Sequence, residues 1–162
     1  MALVFAEKSL KTGPTVFTPC PEWVSFKVEN VKILYNPGVF GDSDNSANRV
    51  NICLQSIVAQ TKILSYELSL SGGNICSCIK EEHIKAKMSW DKIQFFDISG
   101  TKVQRPDSLA GYTANVMFLI KGKWSAMGQV GLCLEVSHIQ LMQGPQEAED
   151  TCPFDDLSNL MK

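Results

Sequence analysis

From Ala114 to Met142 the chain spells out two strands and the turn between them, and this pattern limits the fold more than any other feature. Ala114 to Ile120 reads as one strand. In the stretch from Gln129 to Met142, Val130, Leu132, Leu134 and Val136 alternate with other residues. The phase slips at His138, and Ile139 and Leu141 continue the apolar series. A period of two belongs to a strand with one wet face. Between the two strands, Lys121 to Gly128 (KGKWSAMG) predicts a turn that carries two lysines and a tryptophan.

The same period recurs upstream. Val24, Phe26 and Val28 alternate with Ser25, Lys27 and Glu29, and alternation resumes at Val31, Ile33 and Tyr35, one residue out of phase. The shift predicts a bulge around Asn30 in a long first strand. Val50 to Val58 and Ile63 to Leu70 read as strands, with Ser71-Gly72-Gly73-Asn74 as a turn. Ile75 to Ile79 fits a short strand, Glu81 to Met88 a helical turn or two, and Ile93 to Ile98 a strand. Asn36 to Arg49 and Thr101 to Gly111 are loops, rich in Gly, Asn, Asp and Ser or broken by Pro106. No strand–helix–strand alternation of comparable length appears, which argues against a parallel α/β sheet.

The expected fold class is therefore all-β with a minor helix. Residues 1–22 form an N-terminal arm, residues 23–143 the β domain, and residues 144–162 an acidic flexible tail. Antiparallel strands in this number hide their edges by closing or stacking. The five-stranded Greek-key barrel called the OB-fold fits three details. The first strand is long and bulged. An irregular segment with helical character follows the third principal strand. Two loops stand out where such barrels flank their ligand groove. The competing architecture is a capsid-like or protein-interaction β-sandwich, which would call for about eight strands of similar length.

Charge is unevenly spread over the 162 residues. From Gly144 onward five acids face Lys162 alone, so the tail carries −4 and the rest of the chain about +2. The N-terminus lacks a basic start followed by a long apolar run, and no stretch approaches a membrane span, so an intracellular protein without membrane association is expected. In that setting Cys20, Cys53, Cys76, Cys78, Cys133 and Cys152 read as reduced thiols. Cys76-x-Cys78 with His83 is tighter than the usual zinc knuckle and lacks a second pair, so no metal and no cofactor is expected. There is no Gly-rich phosphate loop, no His-Glu-x-x-His and no Gly-x-Ser-x-Gly, and the chain is expected not to be an enzyme.

What remains is binding. Basic side chains interleaved with aromatics suit single-stranded nucleic acid, whose phosphates need neutralising and whose bases stack. Lys121, Lys123 and Trp124 fall within four positions of the last hairpin. Phe40 and Arg49, flanked by Tyr35, belong to the first loop, Lys27 and Lys32 to the first strand, and Lys85, Lys87 and Trp90 to a third cluster. Phe26, Phe95, Phe96 and Phe118 are read as core.

The segment VMFLIKGKWSAMGQVGLCLEVSHIQLM resembles the closing hairpin of virus- and phage-encoded single-stranded DNA-binding proteins, where an apolar strand ends at a Gly-x-Trp turn. The resemblance covers about a fifth of the chain. It implies an OB-type barrel that binds single-stranded DNA, with RNA left open, in replication or recombination at an intracellular site of a host. It also implies oligomers and an acidic, aromatic-bearing tail that meets replication proteins. Glu147 to Asp156 has that character, although here Leu157 to Lys162 follow it.

Overall fold

The computed structural model describes residues 3–6, 8–38 and 49–145. Ten strands and one helix follow in order: β1 (Leu10–Thr12), β2 (Thr15–Ile33), β3 (Arg49–Gln55), α1 (Ile57–Glu67), β4 (Asn74–Ile75), β5 (Ile79–Lys80), β6 (His83–Ser89), β7 (Gln94–Phe96), β8 (Lys102–Val103), β9 (Thr113–Ala126) and β10 (Gln129–Gln143). The chain is mostly β, and all ten strands join one mixed sheet. Among the described residues no second sheet stacks on it as in a sandwich. Five strands close a ring of pairings in the order β6-β3-β2-β9-β10, and β10 returns to β6 at Glu135 and Lys87. That closing contact is parallel, as are β10–β4 and β10–β7, so the sheet is not the purely antiparallel one expected.

The expected hairpin is present as β9 and β10, but its turn is much shorter than the sequence suggested. Only Met127 and Gly128 turn, at φ 52° and 78°. Two consecutive left-handed residues make the tight connection whose twist suits paired strands. Lys121 to Ala126 continue β9 instead. The Lys-Gly-Lys run looked like loop because of its composition. Gly122 is there because β2 crosses closely: a Cβ at that position would collide with the Thr18 carbonyl oxygen and come within 2.8 Å of Pro19 Cα.

β2 begins at Thr15, well before Trp23, and with β1 it makes half of the segment read as an arm into sheet. Cys20 is buried, and Leu3 joins the core. Pairing of β2 with β9 lapses between Pro19 and Val24, where prolines at 19 and 21 remove ladder donors. A second register shift lies between Val28 and Val31, with Asn30 at φ 58°, at the place predicted for the bulge.

Two local expectations are overturned. Ile63 to Leu70 was expected as a strand, and residues from Ile57 to Glu67 form α1. Ser56 caps it, its Oγ accepting from the Ala59 N–H at 3.1 Å. Ala59, Ile63 and Tyr66 are buried at helical spacing. Glu81 to Met88 was expected to be helical, and β6 occupies it as a strand. Ile84, Ala86 and Met88 point inward and His83, Lys85 and Lys87 outward, so the period is two.

The core fills the ring. Phe118, Ile120, Ile33, Ile52, Leu54, Ile84, Met88 and Ile139 are almost fully buried. Tyr66 of α1 stacks on Phe26 at 6.0 Å, and Phe26 stacks on Phe118 at 5.2 Å, which ties the helix to the sheet. Phe26, Phe95 and Phe118 are core, as read from the sequence, whereas Phe96 is half-buried against His138.

Candidate functional site

Burying Val50, Ile52 and Leu54 on one side of β3 turns Arg49, Asn51 and Cys53 to the other. β6 pairs alongside in register, with Asn51 opposite Lys87 and Cys53 opposite Lys85. Three cationic side chains and an amide thus share one outward face. This face forms one wall of a groove of 440 Å³. The rest of the groove is lined by Leu132, Cys133 and Leu134 of β10, by Trp124 of β9, and by Cys76 to Cys78, with Lys80, Glu81 and His83 beside them.

The 74–80 segment is pinned at several points. Asn74 N–H donates to the Gly128 carbonyl at 2.8 Å, and Cys76 N–H donates to the Val130 carbonyl at 2.8 Å. The buried Glu67 carboxylate reaches out from α1 and accepts from Ser77 Oγ at 2.6 Å and from Cys78 N–H at 2.7 Å. Gly73 allows the approach, because a Cβ there would lie 2.7 Å from the Gly128 carbonyl oxygen.

Four thiols line the groove, and burial makes three of them poor acids. The Cys78 thiol is pushed up to about 12, mainly by burial and then by the Glu67 charge. Cys133 is pushed up to about 11, again mainly by burial. Cys53 is also raised by burial, with Lys85 opposing. At neutral pH these three are protonated, weakly polar lining rather than nucleophiles. Cys76, Cys78, Cys133 and His83 meet in this groove, yet among the described residues no three His, Cys, Asp or Glu side chains are arranged to hold a metal ion.

Electrostatics divides the cations into two sets. Glu135 is buried and binds Arg49, Oε1 to Nη2 at 3.0 Å, while its other oxygen takes the Lys121 ammonium. Lys121 also lies over the Trp23 ring at 4.4 Å, and Lys123 lies over Phe5 at 4.6 Å. These two hairpin lysines are therefore engaged with neighbours, and neither lines the groove. Lys80 and Lys87 line it with no ion pair among the described residues.

Of the residues singled out in the sequence, Arg49, Lys85, Lys87 and Trp124 come together here. Tyr35 joins from an adjoining groove that shares Asn51, Cys53 and Lys85, its ring meeting His83 edge-on at 6.3 Å. Trp90 lies in a further groove, linked to Tyr35's through Asn36, with the Arg105 guanidinium 4.2 Å above its ring. Lys27 belongs elsewhere, beside Met117 and His138, and pairs with Glu29 at 3.8 Å. Lys32 is exposed and lines none of these grooves, and Phe40 falls outside the described residues. The sequence reading missed Lys80, Asn51 and Arg105, and weighed His83 only as a metal ligand. The signal for His83 was the period of two in β6. No family model, curated protein or solved structure matches the chain.

Proposed function

We propose that this protein binds single-stranded nucleic acid, without catalysis, along the groove between β3, β6 and the β9–β10 hairpin. The observation that carries the reading is the meeting of Lys80, Lys85, Lys87 and Arg49 with the Trp124 indole in one open groove. Cations neutralise phosphates, and an indole edged by apolar wall takes a base by stacking. The grooves of Tyr35 and of Trp90 with Arg105 extend the path by two more aromatic platforms.

The ring order supports a Greek-key, OB-type barrel as the finer description of the fold. In such barrels the second and third strands carry the ligand face. Here those are β3 and β6, the strands that bear Arg49, Asn51, Lys85 and Lys87. The helix between them is a departure from the expected position after the third strand. The resemblance of the last hairpin extends the proposal to single-stranded DNA in viral replication or recombination, inside the host cell. It extends it also to the Glu147–Asp156 segment as the contact for replication proteins, a segment outside the described residues.

The test is a titration of intrinsic tryptophan fluorescence with single- and double-stranded oligonucleotides of the same sequence at two salt concentrations. Three or four neutralised phosphates predict a slope of log affinity against log salt of about −2 to −3 for a single strand. Quenching by single strands, with weaker duplex binding, is the expected result. Equal affinity for both forms, or none at low salt, rules the reading out.

A further inference from the structure

Helix α1 is apolar on two sides, and only one of them is covered among the described residues. Ala59, Ile63 and Tyr66 face the core. On the other side Ile57 is 81% exposed, Val58 59%, Leu64 44% and Leu68, at the C-cap, 80%. Ile57, Thr61, Leu64 and Leu68 follow one another at intervals of four, three and four, which lines them up as a single stripe. Helices that are apolar all round are normally covered all round.

The hydroxyls of this side bond to the helix itself. Thr61 Oγ1 donates to the Ile57 carbonyl at 2.9 Å, and Ser65 Oγ donates to the Lys62 carbonyl at 2.6 Å. Both hydroxyls are satisfied by the helix's own backbone, which leaves the stripe effectively apolar. The two charged residues of α1 are engaged elsewhere. Lys62 lies over the Phe26 ring at 5.5 Å, and the Glu67 carboxylate holds Ser77 and Cys78.

The four-three-four spacing reads the same in both directions. Two copies of α1 laid antiparallel therefore match along their whole length, Ile57 against Leu68 and Thr61 against Leu64, with each contact made twice. Such self-complementarity is the condition for an isologous dimer. We propose that α1 pairs antiparallel with α1 of a second copy of this chain about a two-fold axis that passes between Thr61 and Leu64. Ile57, Leu64 and Leu68 of the stripe, with Val58 at its edge, offer on the order of 500 Å² per copy, so the pair buries about 1,000 Å², the lower bound for a specific interface. A reversible dimer follows, rather than an obligate one. The proposal stands apart from the nucleic-acid reading.

Sedimentation equilibrium over about 2 to 200 µM brackets the affinity expected of so small an interface. The wild-type chain should pass from monomer to dimer across that range. Ile57→Lys alone and Leu68→Glu alone should each weaken association at least tenfold, with unchanged circular dichroism and melting. Mixing the two variants should restore a heterodimer, because antiparallel pairing sets the new ammonium against the new carboxylate. A wild-type chain that stays monomeric overturns the proposal, and that measurement needs no variant. So does a dimer indifferent to both substitutions, or a mixture that fails to associate.

Discussion

Trp124 rests directly against the backbone of Gly131: a methyl group at Gly131 would fall 2.6 Å from Cε2 and Nε1 of the indole. The two residues pair across the β9–β10 ladder, and the missing side chain is what lets the ring lie at the groove. Gly131→Ala should thus displace the indole and cost about 1–3 kcal/mol of stability by overpacking. Trp124→Ala should leave a folded chain and weaken oligonucleotide binding by about 1–3 kcal/mol, the worth of one stacked base. Melting curves and titrations of both variants separate the effects. Equal loss of folding in both would make Trp124 a core residue.

Lys87 and Lys27 test which face binds. Lys87 lies in the groove opposite Asn51, and Lys27 is on a different face, paired with Glu29. Lys87→Ala should make the salt slope shallower by about 0.7, the contribution of one phosphate on a single strand. Lys27→Ala should leave slope and affinity unchanged. The reverse pattern would move the interface to the face of Phe96 and His138.

How much of this was legible in the sequence depended on whether local pattern or tertiary approach decided each element. The β9–β10 pairing and the Asn30 bulge were readable because period-two alternation is itself the cause of a half-buried strand. Gly122 and Pro19 misled, since both look like loop residues. One is explained by the close crossing of β2 and the other by a break in its ladder, and neither is visible without the partner strand. β6 was mistaken for helix although its alternation was present, because the short run of charges around Glu81 suits a helical turn equally well. Trp124, Lys85, Lys87 and Arg49 were singled out in the sequence as basic and aromatic residues, and the structure brings them to one groove. Their meeting follows from the register Asn51–Lys87, which depends on long-range pairing. Lys121 shows the limit most clearly: its charge is taken up by Glu135 across the hairpin, a pairing that depends on the register of β9 and β10.

Glu135 holds back two cations at the edge of the groove. Its carboxylate is buried and bridges Arg49 and Lys121. Glu135→Gln removes the negative charge while keeping the shape. The variant should lose about 1–3 kcal/mol of stability from the broken charged hydrogen bonds, a fall in Tm of roughly 2–4 °C per kcal/mol for a chain of this size. It should bind single strands more tightly, by about 2–10-fold at low salt, because Arg49 is released toward phosphate, and the gain should vanish in high salt. Weaker binding would mean that Arg49 needs Glu135 to hold it in place.

The buried thiols make stability fall at alkaline pH. In the unfolded chain Cys78 ionises from its ordinary value of 9.0, whereas the fold holds its proton until about 12, and Cys133 until about 11. Below pH 9 both states carry these protons, and the contribution to stability is complete. Between 9 and the folded values the unfolded state binds fewer protons than the native one. The unfolding free energy must then decrease as pH rises, by up to about 1.4 kcal/mol per pH unit for Cys78. Cys133, more open to water, should contribute less. Urea unfolding at pH 8, 9, 10 and 11 (about one point per unit of the linkage curve) measures the slope. Lysines and tyrosines also titrate in this range, so the informative quantity is the difference between wild type and Cys78→Ser. Serine does not ionise there, and its curve should be flatter than that of the wild type. Parallel curves would show that Cys78 gives up its proton over the same pH range in the fold as outside it, so that burial in the Glu67–Ser77–Cys78 wall does not hold the proton.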